Sequence, residues 1–159
     1  MQKVFNGRFT VKTPDEFVVF LIGMRVNKFW SVRKWLPVAS AMPKMLKVLA
    51  SHPEKGFLGG ESFFRLFPVA TMLVSYWRSF DDLDKFARNP NDPHLKPWGD
   101  YMKRIGSDGS VGIWHETYKI TKGHNEAIYG NMPLFGMGKV FEHVPVTKNM
   151  DAARQRIGA

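Results

Sequence analysis

The sequence predicts an α+β fold built around one four-stranded antiparallel sheet, and three features of the chain carry that expectation. Strand and helix patterns follow one another in the order strand, helix, strand, strand, helix, strand. The third strand hands over to the second helix without a loop, in Tyr76-Trp77-Arg78-Ser79-Phe80-Asp81-Asp82-Leu83, where Ser79 offers an N-cap hydroxyl and Asp82 stands three positions on. The strands themselves are apolar at consecutive positions, which suits a sheet covered on both faces. This order of elements is the split βαβ, ferredoxin-like plan.

Each element has its own reason. Met1 to Thr13 carries few periodic apolar positions and reads as an N-terminal arm. Phe17 to Val26 is a continuous apolar, β-branched run, hence the first strand. Val32, Trp35, Leu36, Ala39, Met42, Leu46 and Leu49 recur at helical spacing and predict a core-facing helix. Pro37 and Pro43 lack backbone donors, so a kink or two short helices meeting near Ser40 to Pro43 is expected. Phe57 to Phe67 reads as the second strand, with Gly59 and Gly60 as a bulge, and Val69 to Trp77 as the third. The helix opened by Ser79 ends near Pro90; Leu95, Trp98, Met102 and Ile105 form another helical stripe stopped by Gly106. Val111 to Ile120 is the fourth strand. Gly123 to Val146 is rich in glycine and proline but holds Ile128, Tyr129, Phe135 and Phe141, and is expected to pack as an extended tail. The expected domain is residues 1–146, with 147–159 a flexible tail.

Composition narrows the class. In 159 residues, 44% are hydrophobic and 14% aromatic, enough for a packed core. With no cysteine, disulfides and thiolate metal sites are ruled out, and a reducing cytoplasm is the simplest compartment. The N-terminus lacks the pattern of a secretory signal, and no stretch reaches the ~18 apolar residues of a membrane span. Net charge is +9, with Arg25, Lys28, Arg33, Lys34, Lys44, Lys47 and Lys55 opposed locally by Glu54. These lysines alternate with apolar positions as a solvated helix face does, and no nucleic-acid-binding module is present, so neither nucleic acid nor membrane is expected as a partner.

A ferredoxin-like sheet has helices on one face, so its other face should alternate to polar if water touched it. Phe17, Val19 and Leu21 alternate instead with Val18, Phe20 and Ile22, and Val69, Thr71 and Leu73 with Ala70, Met72 and Val74. A symmetric partner is the simplest cover, which predicts a homodimer whose sheets close into a barrel around a dry chamber. Cover by the C-terminal tail alone is the rival.

Motifs for phosphate, dinucleotide, nucleophile-elbow or zincin chemistry are missing, and His52, His94, His115, His124 and His143 are scattered, so no protein-ligated metal is expected. The best constellation is Gly112 to Tyr118. Alternation puts Ile113, His115 and Thr117 on one face, and Trp114, Glu116 and Tyr118 on the other. His115 buried there suits general base work near neutral pH, with a satisfied core histidine as the plain alternative. Arg25 and Asn27 end the first strand, where they bind a substrate oxygen or merely mark its exit from the core. Trp77 and Trp98, with His94 one turn before Trp98, lie on elements expected to face each other across the sheet–helix layer, where they wall a flat apolar ligand or simply pack the core. Tyr129, Asn131, Met132 and Phe135 close a pocket mouth or pack the tail.

Phe17 to Lys28, Trp35-Leu36-Pro37 and Ala41-Met42-Pro43-Lys44-Met45-Leu46 resemble a poorly characterised monooxygenase-like family related to an enzyme of fumagillin-type biosynthesis. The likeness continues through Gly56-Phe57-Leu58-Gly59, Tyr76 to Phe80, His94 to Trp98, Val111 to Tyr118 and Asn131-Met132-Pro133, covering about Gly7 to Lys139. It implies a dimeric α/β barrel, the group that holds antibiotic-biosynthesis monooxygenases working without metal or flavin. The group also holds haem-binding relatives, including haem-degrading monooxygenases and aldoxime dehydratases. Trp77 matches the pocket-shaping tryptophan of the haem-degrading members, whereas their histidine ligand falls near Trp98, with His94 close by.

The expected function is a cytoplasmic, homodimeric, cofactor-free oxygenase acting on an apolar, cyclic secondary metabolite. His115, Arg25 and Glu116 are its candidate catalytic residues. Trp77, Trp98, Trp114, Tyr118, Asn27, His94 and Asn131 are the candidates for substrate binding. The alternatives are a haem enzyme with His94 or His115 as axial ligand, and a non-catalytic small-molecule-binding or stress protein.

Overall fold

The computed structural model describes residues 2–90, 99, 101, 103 and 108–157. The fold is α+β, with the expected ferredoxin-like order. Strands β2 (Glu16–Val26), β3 (Phe57–Arg65), β4 (Ala70–Trp77) and β5 (Val111–Thr121) form an antiparallel sheet in the order β3-β4-β2-β5. Helices α1 (Val32–Ser51) and α2 (Phe80–Arg88) follow β2 and β4. The register opposes Ile22 to Leu73 and His115, and Leu21 to Val74 and Glu116. Even-numbered β2 residues therefore share a face with odd-numbered residues of β4 and β5, and this is the face the helices cover.

Two buried clusters hold the helices to that face. Val18 and Trp77 of the sheet pack with Leu49 of α1 and with Leu83 and Phe86 of α2. Met24, Val26 and Val111 pack with Trp35, Val38 and Tyr101. The α2 N-terminus forms as expected, with the Asp82 N–H donating to Ser79 Oγ at 3.1 Å. The β3 irregularity between Phe57 and Gly59 is the expected bulge.

Four features differ from the sequence expectation. First, α1 is a single helix through Pro37 and Pro43, so the break into two short helices does not occur. Its apolar stripe stays anchored on the sheet along its length, which outweighs the lost backbone hydrogen bonds, and Ser40 Oγ donates to the Pro37 carbonyl at 2.9 Å. Second, the N-terminal arm contains strand β1 (Phe5–Lys12). Third, the glycine-rich tail supplies β6 (Tyr129–Met132) and β7 (Glu142–Pro145), which flank β1 in a second antiparallel sheet, β6-β1-β7. Short strands with few alternating residues leave little periodic signal, so this sheet is specified by pairing. Fourth, Lys148 to Arg156 folds into a 3-10 turn and a helical turn, with Arg156 Nε donating to Glu126 at 2.6 Å. The stripe around Leu95, Trp98, Met102 and Ile105 lies outside the described residues, although Gly99, Tyr101 and Lys103 are helical.

The second sheet and its helical turn, Met137–Val140, cover one corner of the sheet face opposite the helices. Phe141 meets Phe17 at 4.9 Å and Tyr76 at 6.4 Å, and Phe135 meets Phe63 at 6.2 Å. Glu61 accepts from the Gly136 N–H and from Lys139.

Candidate active site

A cavity of about 200 Å³ lies between α1, α2 and the sheet, bridging the two core clusters. It exists because facing elements present small residues together: Ala39 and Ala41 on α1, Gly23 on β2, and Thr71 and Ser75 on β4. Larger side chains, including Phe20, Met42, Met45, Leu46, Trp77 and Ile113, form the rest of its wall. An apolar cavity of ~150 Å³ can stay dry and admit a single aromatic ring.

Three polar side chains in this wall, Ser75, Trp77 and Tyr101, are already engaged. Ser75 Oγ donates to the Phe20 carbonyl at 2.9 Å and accepts from Trp77 Nε1–H at 3.1 Å, fixing the indole of a residue only 2% exposed. Tyr101 donates its hydroxyl to the Val111 carbonyl at 3.0 Å. The wall is therefore suited to hold an apolar body, while its bound polar groups keep the shape rigid.

Of the residues expected from sequence, Trp77 lines this cavity. His115 stands on the same sheet face, its ring 5.7 Å from that of Phe20, but it lies outside the wall. It is also exposed rather than buried, because this part of the edge strand β5 runs past the helices that cover its start at Val111. Arg25, Trp114, Glu116 and Tyr118 fall on the opposite face by register. There the Tyr118 hydroxyl donates to Glu116, and that bond holds the phenol pKa above its usual value. Trp114 lies over Gly23, where an added Cβ would come within 2.8 Å of the indole nitrogen and 2.5 Å of the Thr71 carbonyl oxygen.

Asn27 and Asn131 each hold a backbone group. Asn27 Nδ2 donates to the Gly109 carbonyl at 3.1 Å, and Asn131 Oδ1 accepts the Gly7 N–H at 2.9 Å. Beside Asn27, Asp108 is held well below the usual carboxylate range by Lys34 and by Ser110. Tyr129 accepts the Gly138 N–H at 3.1 Å, and burial raises its pKa and that of Tyr76. His94 and Trp98 lie outside the described residues.

Within one chain the cavity lies under the helices, in the sheet–helix layer where Trp77 was expected to wall a ligand; the chamber expected between two copies is a separate space. The cavity's α1 wall coincides with the stripe read as core. A helix facing a cavity and one facing solid core share the same periodicity, so the missing signal was the coincidence of small residues from different elements.

Residues 17–137 match the family described as monooxygenase af470-like. The chain belongs to that family. No curated protein matches it. Among solved structures, the aldoxime dehydratase OxdRE in complex with butyraldoxime is similar at TM-score 0.66 and 14% identity, over 83% of this chain and 41% of that one. Another aldoxime dehydratase gives TM-score 0.59 and 15% identity, over 94% of this chain and 42% of that one. SnoaB, a cofactor-independent oxygenase from Streptomyces nogalater, gives TM-score 0.46 and 14% identity, over 66% of this chain and 92% of that one. The monooxygenase af470-like chain thus spans less than half the length of the aldoxime dehydratases, and the likeness shows the fold.

Haem, the alternative expected with His94 or His115 as axial ligand, would need such a ligand reaching the cavity. Among the described residues of this monooxygenase af470-like protein no histidine lines it, and His94, the other expected ligand, lies outside the described residues. Nor do they contain a cluster of metal-ligating side chains.

Proposed function

We propose that this monooxygenase af470-like protein oxidises a flat, apolar, cyclic molecule with dioxygen, using the substrate itself as reductant. The observation that supports this reading is the cavity under the helices, whose described walls are almost all carbon and include the fixed Trp77 indole. A ring methylene made acidic by a neighbouring phenol loses a proton to a base and passes an electron to dioxygen. Recombination places a peroxide on that carbon, and loss of water leaves a carbonyl. The balance is CH2 + O2 → C=O + H2O.

His115, outside the wall and beside Phe20, is the base in this proposal for a substrate whose acidic carbon extends from the cavity past Phe20 to the sheet edge. Desolvation in a dry cavity favours electron transfer from a carbanion that water would otherwise protonate. The reading includes a homodimer. Val19, Leu21, Met72 and Val74 are half-buried on the face opposite the helices, and Trp114 and Tyr118 remain 37% and 46% exposed there.

The test is a panel of flat phenols with an acidic ring methylene, followed by dioxygen uptake and by incorporation of labelled oxygen into product. Ala39→Phe fills the cavity and is expected to weaken binding at least ~10-fold, since a close-packed interior has no slack to receive it. His115→Ala is expected to lower kcat by ~10²-fold or more with KM little changed. If Ala39→Phe leaves binding and turnover unchanged, the cavity is not the site.

A further inference from the structure

One end of the main sheet carries the most exposed aromatic side chains among the described residues. Trp30 is 90% exposed and Phe67 89%, with Leu66 at 78%, Phe64 at 62% and Phe29 at 50%. Apart from Phe64, near the end of β3, they come from two loops that the sheet brings together. The Val26 N–H donates to the Val69 carbonyl at 2.8 Å, so the turn after β2 and the β3–β4 connection leave the sheet side by side. The Asn27 N–H donates to the Ser110 carbonyl at 2.9 Å and ties the entry to β5 into the same end.

Around this apolar tip, Arg25, Lys28, Arg33, Lys34 and Arg65 stand against a single described acid, Asp108, which Lys34 already pairs. Neither Arg25 nor Arg33 has an ion-pair partner among the described residues. A soluble surface gains nothing from a tryptophan and a phenylalanine held in water at loop tips. An interface between water and lipid does, because aromatic rings settle at the headgroup level while basic residues meet anionic lipid.

We infer that this end of the molecule docks on an anionic lipid surface, with Trp30, Leu66 and Phe67 entering the headgroup boundary and Arg25, Lys28, Arg33 and Arg65 contacting lipid phosphates. Among the described residues no helix is long and apolar enough to cross a membrane. Lying on a bilayer is a different demand, met by a compact apolar tip with a basic rim. Charge complementarity favours this occupant over a second copy, whose identical basic rim would repel.

The experiment is co-sedimentation of the full chain with vesicles of phosphatidylcholine and phosphatidylglycerol at about 70:30, and with phosphatidylcholine alone. Binding is expected to the anionic vesicles and to weaken at about 0.5 M salt. Arg25→Gln and Arg33→Gln should each cost about fivefold in affinity. Trp30→Ser combined with Phe67→Ser should cost at least ~10-fold, with the thermal midpoint unchanged because both positions are exposed.

A second reading is independent of that pair: tryptophan emission shifts to the blue on adding anionic vesicles, and Trp30→Phe removes the shift. Failure of the parent protein to sediment with anionic vesicles overturns the inference, as does equal binding by the double serine variant. Loss of self-association in that variant, without vesicle binding by the parent, assigns the tip to a second copy instead.

Discussion

The His143 ring stacks on Phe9 at 4.6 Å and meets Phe5 and Tyr129 edge-on, and neither of its buried nitrogens finds a hydrogen-bond partner among the described residues. Burial lowers its pKa in the folded chain, whereas in the unfolded chain it titrates near ~6.5. The unfolded state therefore binds more protons as pH falls below about 7, and stability drops across that window until the native ring also protonates. His143→Phe keeps the ring stack and removes the unpaired nitrogens. The variant is expected to be stabler by ~1 kcal/mol at neutral pH and to lose much of the acid-side decline. Thermal midpoints between about pH 7.5 and 5.5 measure this, and parallel curves for the two proteins would refute it. At the same scale, Ser79 caps α2 through the Asp82 N–H, while Arg78 and the Ser79 hydroxyl hold the Asp82 carboxyl below its usual pKa. Ser79→Ala should cost about 1 kcal/mol in chemical denaturation.

Strands β2 and β4 show at the scale of elements what the amino-acid pattern reveals and what it hides. Their long apolar runs predict a sheet, and alternation correctly assigns His115 to one face and Glu116 to the other. The Ser79 cap and the bulge near Gly59 were legible for the same reason: each depends on residues a few positions apart. The small sheet was not legible, because β6 and β7 have four residues each and find their partner, β1, more than a hundred positions away. Trp77 was legible as a wall of the cavity, but its small-residue lining was hidden because it depends on Ala39, Gly23, Thr71 and Ser75 meeting across three elements. Gly23 is where the two sheet faces are coupled: its backbone borders the cavity while Trp114 covers it from the other side. A methyl group there would collide with a backbone oxygen of β4, which has no free rotamer to yield. Gly23→Ala is therefore expected to destabilise by ~1–3 kcal/mol and to weaken ligand binding in the cavity together with stability. Equal thermal midpoints for parent and variant would show that the strands separate at little cost.

For the whole molecule, the unresolved demand of the fold is the sheet face away from the helices. The C-terminal sheet satisfies one corner, around Phe17, Tyr76 and Phe63. Beyond that corner Leu21 and Val74 stand half-buried, opposed in register and continuous with Trp114 and Tyr118 on the edge strand. In the proposed homodimer this patch meets its own copy, and the Tyr118–Glu116 pair lies at the edge of the contact, not in the cavity. Leu21→Glu separates the proposal from a face merely tolerated in water. In a lone subunit the carboxylate reaches solvent from a half-buried position at little cost. In a dimer two carboxylates would confront each other away from water, a cost of several kcal/mol. Light scattering is expected to give a dimer for the parent at micromolar concentration and a folded monomer for Leu21→Glu. The parent's thermal midpoint should rise with protein concentration and the variant's should not, since association with a partner stabilises by mass action. Because the cavity lies within one chain, the monomeric variant should still bind an apolar ligand there. A parent that stays monomeric, with the same midpoint at every concentration, would mean that the face is wet and that the C-terminal sheet is its whole cover.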